Sequence, residues 1–279
     1  MLENFSFSQS SLQDYADCPR RFQLRYLEQL SYPANEFEQS IENEKHLLEG
    51  QQFHRLVQQA LIGIPTENLT KMANTPTLAR WWENFLNFSQ TSLTGMANLH
   101  PEVSLSAPLG KFRLMAKYDL IASKKDKVII YDWKTYRKRP RNEWLSSRWQ
   151  TRVYRALLVA AGSKFNHGKP IVPERCEMVY WFANFPDEPS FFTYSDVQNK
   201  RDWDALTRLI KEIESATDSK SSLPTGFPQT ENRQTCTYCP YRSYCDRGVQ
   251  AGDFENVGVE KDEEAVFDVN FEQIGEIEF

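Results

Sequence analysis

Between residues 101 and 135 the chain changes its hydrophobic period. "PEVSLSAPLG", "KFRLMAKYDLIAS" and "DKVIIYDWKT" are three successive runs of alternating or crowded apolar and β-branched residues. Gly110 separates the first two and "SKKDK" the last two, at β-hairpin spacings. Three consecutive strands do not fit the regular βαβ alternation of a doubly wound sheet. The pattern predicts an antiparallel meander at the heart of a mixed α/β domain.

Helical periods flank the meander. "FSQSSLQDYADCPRRFQLRYL" predicts a helix from about Ser10, capped by Ser10 or Ser11, with Gln13 or Asp14 closing a capping box. Pro19 marks a break or a second start. "EGQQFHRLVQQALIG" (49–63) puts Phe53, Leu56, Val57, Ala60 and Leu61 on one stripe, and "LARWWENFLNF" (78–88) has an aromatic face. After the meander, 142–162 reads as one helix ending at Gly162. Strands follow in "ERCEMVYWFAN" and "SFFTYS", then a helix capped by Ser195. The divisions expected are 1–48, an N-terminal helical segment; 49–217, the core; 218–252, a linker and cysteine module; and 253–279, a tail.

Charge separates the tail from the rest. Residues 253–279 hold ten acidic side chains and one basic, a net −9, so the total of −5 leaves residues 1–252 at +4. The basic run "KTYRKRPR" (134–141) lies in that body. Phe254, Val266, Phe267, Phe271, Ile274 and Phe279 punctuate the acidic tail, a composition expected of a docking segment or of a nucleic-acid mimic folding over a basic groove. Five cysteines, an odd number, with no secretory signal pattern, argue for thiolates grouped around metal instead of disulfides. No apolar run is long enough to span a membrane, and a cytoplasmic protein is expected.

The most informative triplet is Asp132-Trp133-Lys134, at the end of the apolar strand "KVIIY". Residues two apart on a strand project to the same face. The carboxylate can ligate Mg²⁺ or Mn²⁺ while the ammonium orients a water and balances charge, the requirements of phosphodiester hydrolysis. Asp119 ends the preceding strand and would converge with Asp132 across a hairpin. Acid-x-Lys triplets arise by chance about twice in a chain of this composition, and Asp218-Ser219-Lys220, in a polar linker, is read as such an accident. His54, beside the apolar stripe of its helix, is either a structural histidine or the completion of a metal site; Glu102 is a lesser candidate. Gln150 and Tyr154, four apart beside Arg148, Arg152 and Arg155, form either an ordinary surface or a face for a phosphate backbone.

In order and spacing these pieces resemble the PD-(D/E)XK nucleases of the RecB-like exonuclease group, similar to the AddB nuclease domain and the CRISPR-associated RecB-like exonucleases. The resemblance runs from about Ser8 to Cys245. In "SQSSLQDYADCPRRF", Ser8, Ser10, Leu12, Tyr15, Cys18 and Pro19 match S-x-S-x-L-x-x-Y-x-x-C-P. Gly50 and His54 match G-x-x-x-H. Asp119 matches the first acidic motif, with Ala116 in place of its usual glycine. Asp132 and Lys134 match (D/E)-x-K, and Gln150 with Tyr154 match Q-x-x-x-Y.

The resemblance implies a restriction-endonuclease-like α/β core, a central mixed sheet with an antiparallel meander flanked by helices. It implies a DNA exonuclease of repair or recombination with a single-strand preference, working with a helicase or another repair protein. Asp119, Asp132, His54 and the Trp133 carbonyl would hold Mg²⁺ or Mn²⁺, and Lys134 would position the water. Gln150, Tyr154, Arg137, Lys138, Arg139 and Arg141 would meet DNA. It further implies a 4Fe–4S cluster on Cys18, Cys236, Cys239 and Cys245, joining the N- and C-terminal segments; Zn²⁺ is the alternative for four thiolates. The competing class is a catalytically silent nuclease fold that grasps DNA or a helicase. Cys176, in a strand, reads as a buried apolar thiol.

Overall fold

The computed structural model describes Leu2 and residues 5–30, 38–218, 226–237 and 239–248, with backbone alone at 38–44 and 218. The acidic tail and the docking role expected of it, the side chains of the Asp218 triplet and residues 219–225 of the linker lie outside these residues. The N-terminal part contains β1 (Ser6–Phe7), α1 (Gln9–Asp17), α2 (Pro19–Phe22) with a π-helical turn after it, α3 (Glu38–Leu61), α4 (Thr66–Thr70) and α5 (Pro76–Phe88). The meander follows as β2 (Asn98–Leu109), β3 (Phe112–Lys124) and β4 (Lys127–Lys134). Then come α6 (Asn142–Ser147), α7 (Trp149–Ala161), β5 (Cys176–Phe182), β6 (Phe185–Thr193), α8 (Asp196–Asp218) and α9 (Arg233–Cys236).

The three expected meander strands form, turning on Gly110 at φ 61° and Lys125 at φ 51°. β4 then pairs in parallel with β5, which turns back into β6, and β1 adds a short parallel pairing to β3. The result is a mixed six-stranded sheet. One layer of helices, α1, α2, α7 and α8, covers one face around Leu12, Phe22, Leu114, Ile130, Val153 and Leu206. The other layer, α3, α4 and α5, covers the second face with an aromatic core. There Phe85 meets Trp133 edge-on at 5.5 Å and Phe53 stacks on Trp181 at 6.2 Å.

Several boundaries differ from the sequence-based expectation. α3 begins at Glu38 and runs across 48/49, and Phe7, Leu12, Tyr15 and Phe22 join the main core, so the N-terminal segment packs as part of the same body. The helix expected over 142–162 is two helices, because Arg148 adopts φ −65°, ψ 145° between them. α7 ends at Gly162, whose N–H donates to the Leu158 carbonyl; a Cβ there would stand 2.3 Å from that oxygen, so the position requires glycine. The capping box at α1 is made by Ser8 and Ser11, each side chain accepting from the other's backbone N–H. That leaves Gln13 and Asp14 for other work.

β3 is irregular beside Asp119. Phe112, Leu114, Ala116 and Tyr118 face the first core, yet Leu120 and Ala122, of the same parity, face the second. The phase changes at Asp119, opposite Glu102, where the β2–β3 ladder is interrupted and Glu102 takes a left-handed φ of 54°. A non-glycine residue there costs on the order of 1–2 kcal/mol, and the Glu102–Lys117 ion pair at 2.7 Å helps hold it. Phe85 closes the aromatic layer behind Trp133, so Phe85→Ala should destabilise the fold by about 3–5 kcal/mol, read as a fall in the urea midpoint with an unchanged slope.

Candidate active site

The last β3–β4 ladder pair is Leu120 with Tyr131. Beyond it β4 stays with β5 as far as Lys134 opposite Phe182, while β3 departs toward β1. Asp119 and Asp132 are the first residues past the split. The Trp133 N–H would lose its strand partner there, and the Asp119 carboxylate accepts it at 2.8 Å. The same carboxylate lies 3.3 Å from Nδ1 of His54, brought in by α3. Gly50, one turn earlier on α3, permits that approach, since a Cβ would come to 3.1 Å from Thr135 Oγ1.

On the other side of the split, Asp132 and Lys134 are buried and form an ion pair at 3.0 Å. Gln150 bridges them: its Nε2 donates to Asp132 Oδ1 at 2.9 Å, and its Oε1 accepts from Lys134 Nζ at 3.0 Å. Tyr180 also approaches Gln150 Oε1, at 3.4 Å. Trp133, of opposite parity, points into the aromatic layer against Phe85 and Phe88. The triplet therefore divides as strand geometry requires, with acid and lysine on one face and an anchor on the other.

Burial alone would lower the His54 pKa, but the charge and hydrogen bond of Asp119, aided by Asp132, hold it above the ordinary imidazole value. Burial would raise Asp119, yet His54, the Trp133 N–H and Lys134 hold it below the usual carboxylate range. Two carboxylates, an imidazole and a backbone carbonyl are a donor set suited in kind to a hard divalent cation. As the side chains stand, however, the carboxylates face His54, the Trp133 N–H, Lys134 and Gln150. Among the described residues no three His, Cys, Asp or Glu side chains are gathered to hold a metal ion.

The other expected site residues are placed unevenly. Tyr154 is buried, and its hydroxyl donates at 2.7 Å to the Lys117 carbonyl, on the part of β3 that has lost β4. Its polar end, like that of Gln150, is turned inward. The arginines beside them are also engaged. Arg148 lies over Trp144, Arg152 pairs with Asp202 at 2.7 Å, and Arg155 is buried with bonds to the Thr151 and Thr193 carbonyls. These arginines tie α7 to its neighbours. Arg137, Lys138 and Arg141 are exposed just beyond Lys134. Arg139 donates to the Glu188 carbonyl and to Ser190.

The N- and C-terminal parts of the described residues meet at the cysteines. Phe22 stacks on Phe227 at 6.1 Å, the Arg20 N–H donates to the Pro228 carbonyl, and the Tyr241 hydroxyl donates to the Leu30 carbonyl. Cys18, Cys236, Cys239 and Cys245 are all free thiols. Burial pushes Cys239 up to about 11 against the pull of Arg21, with Cys18 and Cys245 adding to the rise. Cys245, raised by burial, likewise feels Cys18 and Cys236. The four are neighbours of the right chemistry for a thiolate site, though not drawn together around one point. Cys176 stands apart, buried in β5, its thiol pushed up to about 12 by burial.

Sequence reasoning misses the contact of Tyr180 with Gln150 and that of Gln13 with the Trp149 N–H. A tyrosine inside an apolar strand reads as core, and Gln13 fits a capping box as written. Only the register of β5 beside β4 and the packing of α1 on α7 place them.

A mixed sheet covered on both faces, with two acids and a lysine where its central strands part, defines an α/β protein with a restriction-endonuclease-like core. The chain belongs to the PD-(D/E)XK nuclease superfamily, whose family model matches residues 6–246. No curated protein sequence matches it significantly. Among solved structures it is similar to the Eubacterium rectale protein named "Putative exonuclease", with a TM-score of 0.52, 10% identity and coverage of 88% of this chain and 90% of that one. At that identity the likeness is one of fold. The structure of SSO0001 gives a TM-score of 0.41 at 14% identity over 89% of each chain, too slight to carry an argument.

The His54–Asp119 pair makes a prediction about protons. In chelator, His54 should titrate above the ordinary value of about 6.5, and Asp119→Asn should bring it below that of wild type, followed by NMR of the imidazole. The stability contributed by the pair is present in full between the unfolded pKa values of the carboxylate and the imidazole; it is lost as pH rises through the elevated His54 value and as pH falls through the depressed Asp119 value.

Proposed function

We propose that this chain is a Mg²⁺- or Mn²⁺-dependent deoxyribonuclease that hydrolyses phosphodiesters. The observation that carries the reading is the Asp132–Gln150–Lys134 arrangement beside Asp119, at the point where the sheet splits. Asp119, Asp132, His54 and the Trp133 carbonyl are the groups to hold the cation. The chemistry a bound cation supplies is polarisation of a phosphoryl oxygen and acidification of water. Lys134 keeps its proton on Nζ, where it orients the attacking water and offsets charge developing on phosphorus. Gln150 holds the acid and the lysine in one geometry, and Tyr154 braces β3 opposite them. Arg137, Lys138 and Arg141 offer charge to a phosphate backbone next to the site.

Exonucleolytic action is the mode proposed, in keeping with the name of the Eubacterium rectale protein of similar fold, and a single strand is the substrate proposed. The setting proposed is repair or recombination alongside a helicase. The four cysteines at the meeting of the N- and C-terminal parts are proposed to bind a 4Fe–4S cluster that acts as a clasp, with Zn²⁺ as the alternative. Among the described residues no helix is long and apolar enough to cross a membrane, in keeping with the cytoplasmic location proposed.

Purified protein should cut DNA with Mn²⁺ and stop in EDTA, and Lys134→Ala should lose at least about 100-fold in rate while still binding DNA. Full activity in Lys134→Ala would overturn the assignment, and binding without cutting under any metal would make the chain a silent binding module. Anaerobically prepared protein should be brown, with about four irons and as much acid-labile sulfide per chain, and Cys18→Ser should lose both. Stoichiometric zinc without iron would replace the cluster by a zinc site.

A further inference from the structure

We infer that Gln13, on α1, is a positioning residue for the acid–lysine site, acting by fixing the start of α7; the inference rests on the nuclease reading. The first N–H groups of a helix have no partner inside it and must be satisfied from elsewhere. At α7 the N-cap residue is Arg148, whose side chain makes no capping bond. Instead Gln13 Oε1 accepts the Trp149 N–H at 3.1 Å, from 136 residues earlier in the chain. The amide of Gln13 is itself oriented, because its Nε2 donates to Asp17 Oδ1 at 2.8 Å. Asp17 is fixed in turn by Arg21, at 2.8 Å, and lies 3.8 Å from Arg148.

The residue after Trp149 is Gln150, which touches both Asp132 and Lys134. α6 stops at Ser147 and Arg148 is extended, so a new helix begins at Trp149, one residue before the side chain that reaches the site. A start of this kind is set by whatever holds its first turn. Loss of the Gln13 acceptor lets the first turn fray or shift, and misplacement of about 1 Å at a reacting geometry can cost on the order of 100-fold. Gln13 touches neither Asp132 nor Lys134; it acts through Gln150.

The test uses Gln13→Leu, which removes the acceptor at similar size, and a swap, Gln13→Glu with Asp17→Asn. The swap restores an acceptor facing Trp149 and a donor from position 17 without placing two carboxylates together. Gln13→Leu should lower kcat on the order of 10-fold or more with KM for DNA and the melting temperature close to wild type, and the swap should recover most of the loss. The Gln150 side-chain amide resonance should move in Gln13→Leu and return in the swap, and the Trp149 backbone amide should exchange faster in Gln13→Leu alone. Wild-type kcat and an unmoved Gln150 resonance in Gln13→Leu would overturn the inference. If wild-type protein itself does not cut DNA, the nuclease reading fails, while the Gln150 and Trp149 resonances still decide whether Gln13 positions the site.

Discussion

The hydrogen bond from the Trp133 N–H to Asp119 is the interaction on which the rest of the site depends. Two strands that pair along their whole length leave no room for chemistry between them, and two that part leave buried backbone groups unsatisfied. Here the strands part after Leu120 and Tyr131, and a carboxylate takes the place of the missing strand partner. The Tyr154 hydroxyl does the same for the Lys117 carbonyl on the opposite lip. The opening is therefore closed to backbone loss by the side chains that line it. Asp119 serves both strand integrity and electrostatics, since its remaining oxygen faces His54.

The same stretch of β3 carries the phase change. The parity of 112–118 already turns Asp119 to the face that α3 covers, and the change of phase turns Leu120 and Ala122 to that same face. The left-handed Glu102 opposite Asp119 absorbs the twist, and the apolar residues on either side of Asp119 serve different cores. Local strain at such a position is sustained by packing on both faces of the sheet. The aromatic layer behind Trp133 supplies much of that packing.

Legibility in the sequence depends on whether a signal is local. The meander is readable because alternation, Gly110 and a polar turn lie within one short window. Asp132 and Lys134 are readable because strand parity alone puts them on one face. The break at Arg148 is not, since no proline or glycine marks it and 142–162 keeps a helical period throughout. β1 is not, because two residues carry no periodic signal. The inward commitment of Gln150 and Tyr154 depends on how far α7 lies from β4, a tertiary quantity. Gln13 satisfies a local capping pattern, and only the closer pairing of Ser8 with Ser11 releases it.

The joining of the N- and C-terminal parts has a consequence for how the molecule comes into being. Tyr15 donates to Glu212, 197 residues later, and Tyr241 reaches back 211 residues to Leu30. At ordinary translation rates about 200 residues take roughly 10–40 s to emerge, and through that interval α1 and α2 wait for the surface that will cover them. Phe22 gains its neighbour Phe227 only near the end of that wait. A nascent chain would thus already carry Asp119, Asp132 and Lys134 while the helices that close the molecule were still wet. The protein acquires its acids early and its final shape late.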